Sequence, residues 1–436
     1  MKKILLFVLL ISLSLEQFIK RSIRSKHGED CVSDSACEEG LLCRINRCFT
    51  KYEATNLKQL GLLEKNICSF QKKCPANQIC IKHRCVPKDT PVEPKKNKTG
   101  NIEDVHLLFT GKIFLNNKPY LSGLKPDNTI NYDHLFTHIL NYIKSADLAV
   151  APLSTPFFIN EGLKLKKDYK NTPKELGDAI VKAGFKAVLH ASSGMYSHKE
   201  KGIIDTLNFW KTKYPDIHPL GIAATLEDCE KNYYIFEKNG IKIAIINYSG
   251  FIGKNIPTKN KFMINVLNKE KVQSFVTKLK QEADFIIFCV NWGERFSLTP
   301  NKNQIYWAKT LAGMGVNLII GNNPALVQPV SFVKADNGNC ALVFFSLGAL
   351  VGENHKKLDA LAALANIVIS KENGKTSIAS YNLIPTINHV AQTSDYTVYK
   401  LSEYNDYLGK SVNKKFSKDK VIKTCKANMG AFAHCF

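Results

Sequence analysis

Arginine is scarce in this basic chain. Its 436 residues carry 60 Lys and Arg against 38 Asp and Glu, yet only Arg21, Arg24, Arg44, Arg47, Arg84 and Arg295 are arginine. Geometric recognition of phosphates and base edges favours the forked guanidinium. A formal charge of +22 spread over lysines therefore argues against specific nucleic-acid binding. It favours a diffuse, salt-sensitive attraction to anionic polymers, glycans or membranes. Long apolar runs are also missing. After residue 15 nothing approaches the about 20 residues that span a bilayer, so no transmembrane segment is expected. No glycine-rich phosphate loop, no H-E-x-x-H and no paired C-x₂-C knuckles occur, and no Ser-His-Asp triad can be placed. These absences argue against P-loop hydrolases, zinc peptidases and zinc-knuckle proteins, and no cofactor is expected.

What is present begins with Met1-Lys2-Lys3 and an almost unbroken apolar stretch from Ile4 to Leu15, with Ser12 and Ser14 near its end. A short basic start, an apolar stretch and a small-residue site describe a secretory signal peptide over residues 1–15. The protein is expected to be secreted, into an oxidising compartment. The cysteines agree: of 13, eight lie between 31 and 85. Cys31, Cys37, Cys43 and Cys48 are separated by five, five and four residues, and Cys68, Cys74, Cys80 and Cys85 repeat those separations. Units this short bury too little apolar surface to fold unaided. Disulfides, each contributing about 2–4 kcal/mol, are expected to hold cysteine-rich repeats over residues 28–50 and 65–87, with three connectivities open in each copy. The spacing resembles Dickkopf-type and EB-type extracellular modules, which implies an interaction role.

Residues 88–104 are rich in Pro, Lys and Asn and read as a linker. Asn97 heads a sequon there and is an expected glycosylation site. A second sequon, at Asn247, ends an apolar run and is expected to be buried. Residues 391–436 read as a lysine-rich tail in which Cys425 and Cys435 would pair, leaving Cys229 over. Cys289 and Cys340 sit in apolar runs and are expected to be buried, inert thiols.

From residue 105 to 390 strand-like and helix-like segments alternate. Strands are expected at 105–115, 147–153, 185–190, 233–236, 241–247, 285–290, 316–320, 340–347 and 362–370, and helices at 132–144, 173–183, 202–213, 269–282 and 303–314. Asn239-Gly240 signals a tight hairpin. This alternation predicts an α/β fold with much parallel pairing. His134 and His138 would stand one turn apart on the first helix, without the Glu of a zinc-peptidase motif.

Seven segments then follow in order: FTGKIFL (109–115), SADLAVAPLSTP (145–156), AGFKAVLHASSG (183–194), KGIIDTL (201–207), VNWGERF (290–296), GVNLIIGNNPALVQ (315–328) and FFSLGALVG (344–352). Together they resemble the CapA/PgsA family of capsule and poly-γ-glutamate synthesis. The resemblance implies a metallophosphatase-like four-layer α-β-β-α sandwich with metals at the strand ends, here preceded by the small disulfide-rich modules. The family's metal-holding residues are replaced. Its Gly-Asp is Gly111-Lys112, and its Asn-Leu-Glu is Pro152-Leu153-Ser154. Its Asn-Asn-His with a following Asp is Ser192-Ser193-Gly194 with Ser197. Its His-Trp-Gly is Asn291-Trp292-Gly293, with Arg295 for a Glu. Its Gly-His-His-Pro-His is Gly321-Asn322-Asn323-Pro324-Ala325, and its closing Asn is Ala349.

A catalytic metal pair needs carboxylates and imidazoles. Hydroxyls, neutral amides and two cations do not supply them, so neither a metal site nor catalytic residues are expected. Lys112, Arg295, Asn291 and Asn322 would instead suit an anion. His190 and His198 flank the third altered motif as candidate surrogate ligands. The expectation is a non-catalytic secreted protein that binds an anionic polymer, glycan or extracellular protein. A working metal-dependent hydrolase or polymer-modifying enzyme, and a protein acting through its cysteine modules, are the alternatives.

Overall fold

The computed structural model describes residues 41–44, 47–50, 78–81, 84–87, 103–115, 117–157, 172–252, 256–352, 361–390, 396–412 and 417–429. The chain divides into two compact units, Met1–Lys98 and Thr99–Phe436. In the first, each cysteine-rich copy contains an antiparallel hairpin: β1 (Leu41–Arg44) with β2 (Arg47–Thr50), and β3 (Gln78–Ile81) with β4 (Arg84–Pro87). Cys43 is the register partner of Cys48 and Cys80 that of Cys85. The signal peptide, Cys31, Cys37, Cys68, Cys74, Asn97 and Cys435 lie outside the described residues, as does the side chain of Cys425.

The second unit is built on two sheets. In the first, β5 (Glu103–Thr110), β7 (Leu148–Pro152), β8 (Ala187–Leu189) and β9 (His218–Leu220) run parallel. β17 (Leu361–Glu372) pairs antiparallel with β5, β18 (Lys375–Val390) with β17 and β19 (Tyr396–Lys400) with β18, which completes the order β19-β18-β17-β5-β7-β8-β9. In the second, β11 (Ile241–Ser249), β12 (Phe285–Asn291), β13 (Leu318–Asn322) and β15 (Cys340–Leu347) are parallel. They are flanked by antiparallel β10 (Tyr234–Lys238) and β14 (Val327–Lys334) in the order β10-β11-β12-β13-β15-β14. A short parallel pair, β6 (Lys112–Ile113) and β16 (Ala349–Val351), lies beside them.

Period-two alternation explains the layering. On β11, Ile241, Ile243 and Ile245 enter a core shared with Leu107, Phe109, Val150 and Leu189 of the other sheet. Ala244 and Ile246 face the other way, onto Val272, Val276 and Leu279 of one helix and Ala308 and Leu311 of another. Those helices, like the two on the opposite side, are numbered here in chain order: α1 (Lys174–Ala183), α2 (Lys199–Lys213), α3 (Lys269–Glu282) and α4 (Lys302–Met314). The outer face of the first sheet, with Leu108, Ala149, Ala151 and Val188, packs on Leu176 and Ile180 of α1 and on Phe209 and Trp210 of α2. Three cores between four layers make an α-β-β-α sandwich.

Local chemistry sets the ends of these elements. Asn301 and Gln304 close a capping box on α4, which stops at Gly315 with φ 97°. Asn239 and Gly240, with φ 51° and 66°, form the expected two-residue turn between β10 and β11. Asn373 and Gly374, at 51° and 77°, make a second one between β17 and β18.

Several expectations need correction. The strand over 105–115 breaks at Gly111, where a Cβ would lie 2.7 Å from the carbonyl oxygens of both Leu347 and Gly348. The chain jogs there into β6. The helix over 132–144 is instead two 3₁₀ turns, Asp133–Leu135 and Thr137–Ile139, and a short helix, Leu140–Ser145. His134 bonds the Ser122 hydroxyl at 2.9 Å while His138 stacks on Tyr399 at 3.9 Å, so they form no metal pair. Residues 391–436 are not a separate tail. Within them β19 pairs with β18, and Tyr396, Val398, Leu401 and Tyr404 are buried.

Cys340 is exposed at the start of β15, whereas Cys289 is enclosed and burial pushes its thiol pKa up. Cys229 is half-buried against the Asn265 side chain. A maleimide is therefore expected to label Cys340 in the native protein and to reach Cys289 only after denaturant is added. Peptide mass mapping reads this directly, and native labelling of Cys289 would contradict the packing.

Candidate functional site

Where the inter-sheet core ends, its positions turn polar. Along β11 the series Ile241, Ile243, Ile245 continues as Asn247 and Ser249. Along β12, Phe285, Ile287 and Cys289 give way to Asn291, and along β13, Leu318 and Ile320 give way to Asn322. Parallel register places Ser249, Asn291 and Asn322 side by side. Across from them, Pro152 ends β7 with Ser154 just beyond it, and Ala191 and Ser192 follow β8. Ser154, Ser192, Asn247, Asn291 and Asn322 line one recess with their apolar neighbours. It lies at the carboxyl ends of the parallel strands, where open α/β sheets bind ligands. Its volume, ≈ 10 Å³, admits about one water-sized group.

Most of its polar atoms are already committed. Asn247 accepts the Ala191 N–H at 2.7 Å and donates to the Cys289 carbonyl at 3.2 Å. Asn291 donates to the Ser249 hydroxyl at 3.2 Å, and the Ser192 hydroxyl donates to the Ser154 carbonyl at 2.8 Å. Asn322 is different. It is 4% exposed, and its Oδ1 is enclosed with no donor. Such an unmet amide costs about 1–3 kcal/mol. Asn247 was not among the residues expected here. Its signal in the sequence was an amide at the end of an otherwise apolar strand.

Lys112 stands beside this lining. On β6 it is the register partner of Ala349, and its neighbour Ile113 bridges to Leu153, one residue before Ser154. Lys112 is 8% exposed, with the Phe114 ring 5.5 Å from its ammonium. Among the described residues it forms no ion pair and no side-chain hydrogen bond. Burial first, and the charge of Arg295 second, bring it down from 10.5 to about 8. Arg295 is exposed, sits 5.1 Å over the Phe296 ring, and likewise has no ion pair among the described residues.

The loops that carry these groups are tied together. Trp292 donates its N–H to the Asn322 carbonyl at 3.0 Å and its Nε1–H to the Phe345 carbonyl at 2.8 Å. Asn323 donates to the Gly293 carbonyl at 2.9 Å, and the Phe296 N–H to the Pro324 carbonyl at 2.6 Å. Phe296, Asn323 and Ala325 hold φ values of 63°, 102° and 63°, a left-handed conformation that costs non-glycine residues about 1–2 kcal/mol each.

The remaining altered positions do not assemble a metal site. Ser193 and Gly194 begin a 3₁₀ turn that Ser197 ends. A Cβ on Gly194 would lie 2.4 Å from the Ser154 carbonyl oxygen, so this backbone accepts no histidine there. His190 points to the outer face, where its Nε2 accepts the Trp210 indole N–H at 3.0 Å. Burial holds its pKa down at about 3, although the Leu153 carbonyl opposes the shift. It is a packing residue and no surrogate ligand. His198 is the residue that precedes α2. Among the described residues no three His, Cys, Asp or Glu side chains converge, and those present do not fit a metal pair.

Residues 106–354 match the family described as bacterial capsule synthesis protein PGA_cap. The chain belongs to this family. Two curated PGA_cap-like relatives are capsule biosynthesis protein CapA of Bacillus anthracis, 25% identical over 233 residues, and PGA biosynthesis protein CapA of Bacillus subtilis (strain 168), 22% identical over 262. The matches cover 51% and 59% of this chain and 55% and 66% of those proteins. The chain thus spans between half and two thirds of the length of the relatives it matches. Similar solved structures include the NAD nucleotidase of Haemophilus influenzae, at a TM-score of 0.42 and 13% identity over 75% of this chain and 60% of that one. The calcineurin-like phosphoesterase YfkN of Bacillus subtilis gives 0.37 and 12% over 73% and 98%. Ser154, Ser192, Asn291 and Asn322, four of the positions singled out by the resemblance to that family, line this recess together.

Proposed function

We propose that this PGA_cap protein is secreted and acts by binding at the carboxyl-end recess rather than by catalysis there, its ligand an anionic group of a polymer, glycan or extracellular protein. One observation carries the reading. Lys112 and Arg295 stand close enough for one charge to lower the pKa of the other, with no counter-ion among the described residues. A buried cation facing a second cation is costly, and an incoming anion relieves both. The hydroxyls and amides at the altered positions are poor ligands for a catalytic cation, and no reaction step is assigned to them. Disulfides in the cysteine-rich repeats and a glycan on Asn97 belong to the same extracellular reading.

Calorimetric titration of the desalted protein with inorganic phosphate and with a γ-glutamyl oligomer at low salt tests it. Binding is expected, weakened at least about tenfold, or 1.4 kcal/mol, in both Lys112→Met and Arg295→Gln. A wild-type protein that takes up neither probe at millimolar concentration sinks the proposal. The metal content of the same sample is expected to be far below stoichiometric. Near-stoichiometric zinc, manganese or iron would move the assignment to a hydrolase.

A further inference from the structure

We propose that Lys112 is a modification site: its amine takes up carbon dioxide reversibly as a carbamate, with Arg295 as the counter-charge of the carboxylate so formed. Lys112 is the one buried lysine among the described residues. No carboxylate pairs with it there, and its Nζ makes no hydrogen bond. The Phe114 ring, 5.5 Å away, favours the ammonium but supplies no counter-charge. An amine so placed is better neutral than charged, because burial and a second cation both disfavour the ammonium. It is also not sealed in. The fully enclosed, unpartnered side-chain atoms among the described residues belong to other residues, so a small reagent reaches this nitrogen.

A neutral lysine amine is a nucleophile, and carbon dioxide is small, uncharged and electrophilic. The Nζ lone pair attacks its carbon. The N–C bond forms as one C=O electron pair moves onto oxygen, and one proton of the nitrogen passes to water. Nothing is oxidised or reduced, and the side chain ends as an N-carboxylate. The Arg295 charge that disfavours the ammonium favours this anion. Selectivity follows from the surroundings of the other lysines. Lys182, Lys213 and Lys238 hold Asp133, Asp178 and Asp147, which keeps them charged. An exposed lysine of ordinary pKa is under about 1% neutral at pH 8, whereas Lys112, brought down to about 8, is about half neutral there. One consequence rests on the anion-binding reading above: the carbamate replaces the buried cation by an anion, so carbon dioxide weakens anion binding. The modification itself does not depend on that reading.

The test equilibrates the intact protein with isotope-labelled bicarbonate and carbon dioxide at about pH 8, fixes carbamates by O-alkylation with a trialkyloxonium salt, and maps the labelled peptides by mass. Bicarbonate held non-covalently leaves no such mark. A carbamate is expected on Lys112 and on no other described lysine, absent in Lys112→Arg and reduced at least about threefold in Arg295→Gln. A wild-type protein with no adduct on Lys112, or with adducts spread evenly over its exposed lysines, would overturn the modification site whatever the variants do. An adduct undiminished in Arg295→Gln would refute the role given to Arg295. Phosphate titration with and without carbon dioxide reads the regulation. Affinity is expected to fall at least about threefold beyond the loss seen in Lys112→Arg, where bicarbonate competition alone remains. An unchanged phosphate affinity in the carbamylated protein would refute the regulation. An adduct on a protein that binds no phosphate even in carbon-dioxide-free buffer would support the modification and sink the anion reading.

Discussion

Lys112→Met is expected to stabilise the protein at pH 7 in anion-free buffer by about 3 kcal/mol. The figure follows from a pKa of about 8 in place of 10.5, at about 1.4 kcal/mol per unit. The direction is fixed by linkage. The folded protein releases the Lys112 proton near pH 8, whereas the unfolded chain keeps it to about 10.5. Between those values the unfolded state holds more protons, so stability rises with pH. Below pH 8 the penalty is fully present. Methionine keeps the length of the lysine stem without its charge, so packing changes little. Urea denaturation at pH 7.0 and 9.5 should show the wild type gaining on the variant at the higher pH. Millimolar phosphate should raise the wild-type midpoint at pH 7 by mass action and leave the variant unmoved. A Met variant less stable than wild type in anion-free buffer would mean that the ammonium has a partner, and the uncompensated-charge argument would fail with it.

Gly321→Ala is expected to cost at least about 3 kcal/mol and to abolish phosphate binding. Gly321 is the penultimate residue of β13, immediately before Asn322 and under the bond from the Trp292 indole to the Phe345 carbonyl. A Cβ there would lie 2.1 Å from the Phe345 carbonyl oxygen and 2.4 Å from Trp292 Nε1. One obstacle is backbone and the other a 1% exposed indole, so neither gives way as a flexible side-chain end would. Overpacking of a rigid core usually costs about 1–3 kcal/mol, and a main-chain clash this close belongs at the top of that range or above it. A shift of strand β13 also moves Asn322 out of the recess. Thermal melting and the phosphate titration read the two effects separately. A variant that melts and binds like the wild type would refute the packing of strand, indole and carbonyl described here.

The residues at the carboxyl ends of these strands are also not one substitution from a metal site. Gly194 cannot accept a side chain without moving Ser154, and Ala325 sits in a left-handed backbone. Introducing Lys112→Asp and Asn322→His alone would leave the site short of ligands on the Ser193–Tyr196 turn.

Sequence and structure divide this protein along a physical line. Features decided by near neighbours in the chain were legible from the residues alone. Asn239-Gly240 makes its turn because both residues tolerate positive φ. The helices α1 to α4 form where apolar spacing and caps coincide. The inter-sheet strands alternate as their Ile, Val and Leu positions require. The sequence also singled out Ser154, Ser192, Asn291 and Asn322, which the fold brings to the lining of one recess. Tertiary structure alone decided the rest, because burial and charge depend on groups distant in sequence. The strand β19 is buried only because β18 accepts it, so a lysine-rich segment became part of a core. The helix expected over 132–144 gave way to 3₁₀ turns whose histidines find partners in Ser122 and Tyr399. The setting of Lys112 could not be read from any local pattern: it depends on its pairing with β16 and on the approach of Arg295, and among the described residues no carboxylate pairs with it.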